Sequence, residues 1–234
     1  MKTIDLENVY RERVLDIWRK FKDLDLMTAP DCDYRKTPLL PKSINKEAIL
    51  FIGINPAFSK SRKEEVINSE IEFYPIISEK TKDITYFEKF KDIAKYCNDS
   101  VWTHLDLFFI RETNQELIEK LSYDNVDFLQ AQLYISFDII TKAAPKIIVV
   151  SNSLASEFFG KRKQKHLFFE KIWLGFDLDF EKDFDTEIGT YKIQIAGKNT
   201  PIIFSGMLSG QRALDLGSFE RMKWQIKRIL DSQN

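Results

Sequence analysis

The sequence predicts an α/β protein, a three-layer α/β/α sandwich around a central, mostly parallel sheet of about four strands. Three observations lead there. Apolar runs at 48–54, 146–151 and 201–205 have the length of strands buried on both faces; amphipathic stretches of helical period lie between them; and the two kinds of segment alternate along the chain. No internal repeat and no Gly/Ser/Pro-rich linker divides the 234 residues, of which 44% are hydrophobic and 30% charged, so one core suffices. Residues 1–234 therefore read as a single domain, with 1–45 a helical and extended N-terminal segment and 46–234 the α/β/α core.

Val9, Val14, Ile17, Trp18 and Phe21 recur at helical spacing among charges and predict a first helix over about Leu6 to Leu24. Residues 28–47 carry Pro30, Pro38 and Pro41 and read as an extended connection. The run Ala48 to Ile54 stops at Asn55-Pro56 and is the first core strand. Phe87, Phe90, Ile93 and Ala94 predict a helix over Tyr86 to Tyr96, followed by a second strand over Val101 to Ile110. A helical stretch from Val126 to Ala144 ends at Pro145, and Lys146 to Ser151 is the third strand. Tyr191 to Ala196 and Pro201 to Ser205 supply two more, and Ser218 caps a last helix carrying Phe219, Met222, Ile226 and Ile229.

Composition excludes several classes of function. Lys and Arg total 35 against 36 Asp and Glu, so a formal charge of −1 provides no global attraction to a polyanion. Cys32 and Cys97 match no zinc, redox or iron–sulfur spacing, which fits a reducing compartment. The acidic stretch Asp177 to Asp185 fails as a calcium loop, since Lys182 and Ile188 stand where Gly and Glu are needed; it reads as an edge hairpin or insertion. No phosphate-binding glycine loop, serine elbow or H-E-x-x-H appears. The amino terminus lacks the apolar core of a secretory signal and no stretch has the length of a membrane span, so a cytoplasmic protein without membrane contact, a monomer, is expected.

In an open parallel sheet the ligand crevice lies beyond the carboxyl ends of the strands, which selects residues 55–59, 106–114, 151–153 and 205–212. Gly53-Ile54-Asn55-Pro56-Ala57-Phe58 holds an amide at that edge, where Asn55 either faces a ligand or bonds nearby backbone as Asn does in turns. After the last strand, Phe204-Ser205-Gly206-Met207-Leu208-Ser209 presents two apolar side chains on a loop. They either meet a partner or tuck beneath the loop as a satellite cluster. His104 and Asp106 share a strand face by alternation, so they form either a His–Asp acid pair or a packed, hydrogen-bonded core pair.

Taken together these segments resemble the uracil-DNA glycosylase superfamily. Gly53-Ile54-Asn55-Pro56-Ala57 is similar to the first motif of its mismatch-specific and single-strand-selective branches, G-x-N-P-G with x apolar. Leu208-Ser209 matches the end of its last motif, H-P-S-P-L-S or N-P-S-G-L-S, and Asp106 to Arg111 lies where the superfamily carries its base-reading Asn. The resemblance runs from about residue 46 to the carboxyl terminus. It implies an enzyme without a cofactor that extrudes a deaminated or mismatched base from DNA and hydrolyses its N-glycosidic bond. Asn55 would hold the attacking water, and Gly53, Ile54, Pro56, Phe58, Phe73, Asp106 and Ser205 would line the base pocket. Met207 and Leu208 would enter the vacated stack, with Ser209, Gln211, Arg212, Lys60 and Arg62 at the flanking backbone. The charged runs Lys60 to Lys63 and Lys161 to His166 read first as solvated loops and only second as phosphate contacts.

The chain departs from that pattern at two positions. Phe204, or Ser205 after a shift of one, stands in place of the superfamily's His or Asn, and Asp106 replaces the base-reading Asn. An ionised Asp only accepts hydrogen bonds, so either the preferred base is not uracil or Asp106 is protonated, with His104 as a replacement acid beside it. A catalytically inactive nucleic-acid or nucleotide-binding module, and a hydrolase of free nucleosides, are the alternatives.

Overall fold

The architecture follows from where the apolar runs stop. A computed structural model of the chain describes residues 2–30, 32–58, 69–75, 85–98, 100–159, 184–209 and 213–233. In chain order these form β1 (Thr3–Asp5), α1 (Leu6–Lys20), α2 (Asp25–Thr28), β2 (Leu39–Pro41), β3 (Ser43–Asn45), β4 (Ile49–Gly53), β5 (Glu72–Tyr74) and α3 (Thr85–Tyr96). There follow β6 (Trp102–Asp106), α4 (Gln115–Asp124), α5 (Val126–Ala143), β7 (Ile147–Val150), α6 (Ser153–Phe158), β8 (Phe184–Asp185), β9 (Thr190–Ile195), β10 (Lys198–Phe204) and α7 (Leu216–Asp231). The fold is mixed α/β with a central, mostly parallel sheet. Among the described residues no helix is long and apolar enough to cross a membrane.

Among the described residues the sheet has six strands rather than about four, in the order β6-β4-β7-β10-β9-β8. The first four are mutually parallel; β9 and β8 extend the edge antiparallel, β9 through the hairpin turned by Ala196 and Gly197, both at positive φ. Strand alternation divides the core in two. Leu50, Ile52, Leu105, Ile148, Val150 and Ile202 belong to a first cluster with α1, α4, α5 and α6, while Ile49, Phe51, Trp102, Ile147, Val149 and Ile203 belong to a second with α3 and α7. Because β4 is followed by the crossover to β6 on one side and β7 by the passage to β10 on the other, the order reverses between β4 and β7, where an α/β sheet opens its crevice.

Several sequence expectations change. Residues 28–47 are not simply extended: they hold α2, a 3₁₀ turn at Asp33–Lys36, and strands β2 and β3, which pair with β5 and β1. Those three-residue strands rest on distant partners, so no local periodicity marks them. The second strand ends at Asp106, and Leu107 to Ile110 continue as buried loop. Helices α4 and α6 were not expected; Asn114 and Asn152 cap them. The cap of α7 is Asp215, which accepts from the Ser218 amide and hydroxyl.

Candidate functional site at the carboxyl edge of the sheet

Register brings four distant residues into one row. Gly53 pairs with Asp106; continuing the β4–β7 and β7–β10 ladders by one residue sets Gly53 beside Ser151 and Ser151 beside Ser205. The bonds from Ser151 N–H to Ile52 C=O (2.9 Å) and from Ser205 N–H to Val150 C=O (2.8 Å) hold that continuation. All four side-chain positions lie on the second face, at the last step before the strands end. At a strand spacing of about 4.8 Å the row spans about 14 Å. The row beneath it is His104, Phe51, Val149 and Ile203.

Gly53 is required by closeness. A Cβ there would collide with Asp106 Oδ1 and stand 3.2 Å from His104 Nε2, so the Asp106 carboxyl leans over the space that the missing side chain leaves. His104 Nε2 lies 3.8 Å from Asp106 Oδ1, too long for a hydrogen bond. Its ring is instead bonded by two tyrosines, Tyr74 Oη at 3.1 Å from Nδ1 and Tyr86 Oη at 3.4 Å from Nε2, and stacks on Phe90. Tyr86 also bonds Ser151, whose hydroxyl lies 3.1 Å from Ile52 C=O, so the two tyrosines, His104 and Ser151 form one connected network.

Burial acts on the pair in opposite directions. It pushes the Asp106 carboxyl up to about 7 and the His104 imidazole down to about 3, and it raises both tyrosines above the ordinary phenol range. His104 thus stays neutral at physiological pH, and the expected role for it as an acid is corrected to that of a hydrogen-bonded support. Asp106 is the group that titrates near neutrality. It also meets the outside, with 10% of its side chain exposed against 2% for His104.

Asn55 follows β4 directly, and its Nδ2 donates to the carbonyls of Glu112 (2.6 Å), Pro56 (3.2 Å) and Ile110 (3.3 Å). These acceptors orient the amide and, among the described residues, leave Oδ1 as the side not bonded to backbone. The loop that holds Asn55 is itself pinned by the N-terminal segment. Buried Glu112 accepts from Arg35 Nε (2.9 Å) and Nη2 (2.5 Å), from Tyr34 Oη and from Asn114 N–H, while Arg111 bonds Thr37 C=O and pairs with Glu72. Residues 33–41 are therefore part of the machinery that sets Asn55.

The other expected site residues divide. Pro56 C=O accepts from Glu112 N–H, and Ile54 is buried in the first cluster. Phe58 stacks on Tyr34 at 3.9 Å between centroids, which covers one of its faces. Phe73 packs against the first cluster, and its neighbour Tyr74 is the one that reaches His104. The Ser205 hydroxyl is buried and has no partner among the described residues. Leu208 is 3% exposed within the second cluster, so the expected wedge is corrected: the side chain tucks beneath its loop, where apolar surface is stable. Met207 is half-buried and bonds Leu214 N–H through its carbonyl; Ser209 is half-buried. Lys60, Arg62, Lys63, Gln211, Arg212, Lys161 to His166 and most of the acidic stretch before Phe184 lie outside the described residues.

Sequence reasoning missed Tyr86 and Glu112's clamp on the Asn55 loop, whereas Ser151 falls in the segment 151–153 that it selected at the carboxyl edge. Ser151 was legible as the polar stop of an apolar run; Tyr86 carried no signal, being one aromatic in an amphipathic helix. Among the described residues no group of three His, Cys, Asp or Glu side chains could hold a metal ion. No protein-family model matches this chain, and no curated protein matches it by sequence.

Proposed function

We propose that the protein is a DNA glycosylase-like hydrolase of the uracil-DNA glycosylase type, cleaving the N-glycosidic bond of a flipped, deaminated or mismatched base. The observation that carries this reading is the pair of groups at one sheet edge: an amide whose Nδ2 is tied into backbone carbonyls, leaving Oδ1 to orient a water, and a buried carboxyl able to hydrogen-bond a departing base. In the reaction the C–N bond breaks with its electron pair moving to the base. Water oxygen then bonds the sugar carbon, and the proton it sheds is returned through solvent to the base anion, which leaves neutral. An amide is no base, so Asn55 contributes position alone, and Asp106 lowers the cost of charge developing on the base.

The test is incubation with labelled duplex and single-stranded DNA carrying uracil, hypoxanthine, xanthine or a G·T mismatch, scoring abasic sites. Cleavage of one of them, abolished by Asn55→Ala, is expected; inactivity on all removes the enzyme reading. A second reading, a binding module of the same fold without catalysis, is favoured by the burial of Leu208 and by Phe204 standing where a hydrogen-bonding residue would stabilise the leaving base. Salt-sensitive DNA binding with no bond cleavage is its signature.

A further inference from the structure

We propose that Arg35 is a positioning residue for Asn55: by gripping the Glu112 side chain it fixes the carbonyl to which the Asn55 amide is tied, and with it the direction in which Oδ1 points. The inference rests on the hydrolytic reading above and adds to it a residue, outside the sheet, that governs the attacking water.

The links run in one direction, because a guanidinium, an indole N–H and an amide nitrogen only donate, whereas a carboxylate and a backbone carbonyl only accept. Trp18 of α1 donates from Nε1 to Arg35 C=O (2.8 Å), and Arg35 Nη1 donates to Leu26 C=O of α2 (3.2 Å). Both N-terminal helices thus hold the arginine from behind. In front, Nε (2.9 Å) and Nη2 (2.5 Å) converge on one oxygen, Glu112 Oε2, while Oε1 accepts from Asn114 N–H at 2.8 Å. Through its backbone the same glutamate reaches the site. Its N–H donates to Pro56 C=O, and its C=O takes the shortest bond made by Asn55 Nδ2, 2.6 Å against 3.2 and 3.3 Å for the other two.

Burial and a second grip make the pair more than a surface contact. Only 13% of the Arg35 side chain and 6% of the Glu112 side chain are exposed, so solvent does not stand in for either partner. The adjacent Tyr34 stacks on Phe58, three residues beyond Asn55, and its hydroxyl donates to the same Oε2 at 3.3 Å. None of these bonds involves the row of Gly53, Asp106, Ser151 and Ser205. The clamp therefore bears on the attack of water and not on the seat of the base.

The experiment is steady-state cleavage of whichever uracil, hypoxanthine, xanthine or G·T DNA the wild-type protein accepts, by Arg35→Met, Arg35→Lys and the double variant Arg35→Met with Glu112→Gln. The double variant leaves no buried charge without its partner, which protects the fold. Arg35→Met and the double variant are each expected to lower kcat about a hundredfold at unchanged KM, the loss that a displacement of about 1 Å at a reacting group brings. Arg35→Lys keeps the charge and one donor for Oε2 and is expected to recover about tenfold of that loss. Folded variants with wild-type kcat, or a loss that falls on KM, overturn the inference and leave the glycosylase reading in place. A wild-type protein inactive on every DNA removes that reading and the inference with it. Hydrogen exchange supplies a check that needs no activity: in the double variant the amides of 54–58 and 109–114 are expected to exchange about tenfold faster while those of 147–150 keep their rate. A uniform change across the three segments, or none, overturns the inference.

Discussion

The two faces of the central sheet are built from alternate residues of the same strands, yet they end differently at the carboxyl edge. On the first face the strands stay apolar to the rim and beyond, through Ile52, Ile54, Leu105, Leu107 and Val150, all buried against α1, α4, α5 and α6. On the second face Phe51, Val149 and Ile203 give way one step later to Gly53, Ser151 and Ser205, with His104 and Asp106 on the flanking strand. Asp106 and Ser151 remain as buried as core residues, at 7% and 5% exposure, though their chemistry has changed. Burial that continues after apolar character stops marks a place where polar groups are held at a cost, and such places are where binding and proton chemistry are found.

The contrast can be broken by substitution. On the first face Ile52→Ala removes packing alone, and a loss of about 2–5 kcal/mol in denaturant unfolding is expected with no change in the pH dependence of stability. On the second, Gly53→Ala forces a methyl against Asp106 Oδ1 and is expected to cost about 1–3 kcal/mol while disturbing the Asp106 titration; a silent Gly53→Ala would show that the carboxyl does not occupy that space.

The buried pair sharpens the comparison further. Between about pH 4 and 6.5 the unfolded chain holds an ionised Asp106 and a protonated His104, and the folded chain holds both neutral, so the two states bind equal numbers of protons and the pair adds no slope. Single variants uncover each half. In His104→Asn the remaining Asp106 keeps a proton that the unfolded chain has lost, so stability is expected to fall by about 1.4 kcal/mol per pH unit as pH rises from about 4 to about 7. In Asp106→Asn the unfolded chain binds a proton that folded His104 refuses, so stability is expected to fall with a similar slope as pH drops below 6.5 toward 3. Unfolding titrations that show parallel slopes in the two variants would end the assignment.

The smallest effects come from two hydroxyls that are buried without partners among the described residues, Thr103 on the first face and Ser205 on the second. Thr103→Val and Ser205→Ala should each raise stability by up to about 1 kcal/mol, since each removes an unsatisfied polar atom. Only Ser205→Ala should alter nucleoside binding, because only Ser205 stands in the polar row. Equal effects of the two on binding would deny the row its function.

Much of this was legible from single segments. The strands at 49–53, 102–106 and 147–150 and the helices at 6–20 and 126–143 announce themselves because burial on one or both faces imposes a period that ordinary side chains record. The sharing of one face by His104 and Asp106 follows from alternation, and the polar stop after each apolar run points to the carboxyl edge. Their protonation was not legible, because it depends on how many donors reach the carboxyl and on whether water does. The fate of Leu208 was not legible either, since an apolar residue in a loop is drawn inward only if a hollow waits for it.

By itself, then, the sequence determined the kind of each long element and the side of its own strand on which every residue lies, since both are decided by bonds and contacts a few residues apart. Tertiary structure alone decided that Gly53, Asp106, Ser151 and Ser205 form one row, that Tyr74 and Tyr86 arrive from separate elements to occupy both nitrogens of His104, and that an N-terminal arginine steadies the loop beneath Asn55. Register between strands far apart in sequence is set by ladder bonds and by the fit of side chains across the sheet, quantities that no stretch of chain carries until its neighbours are in place.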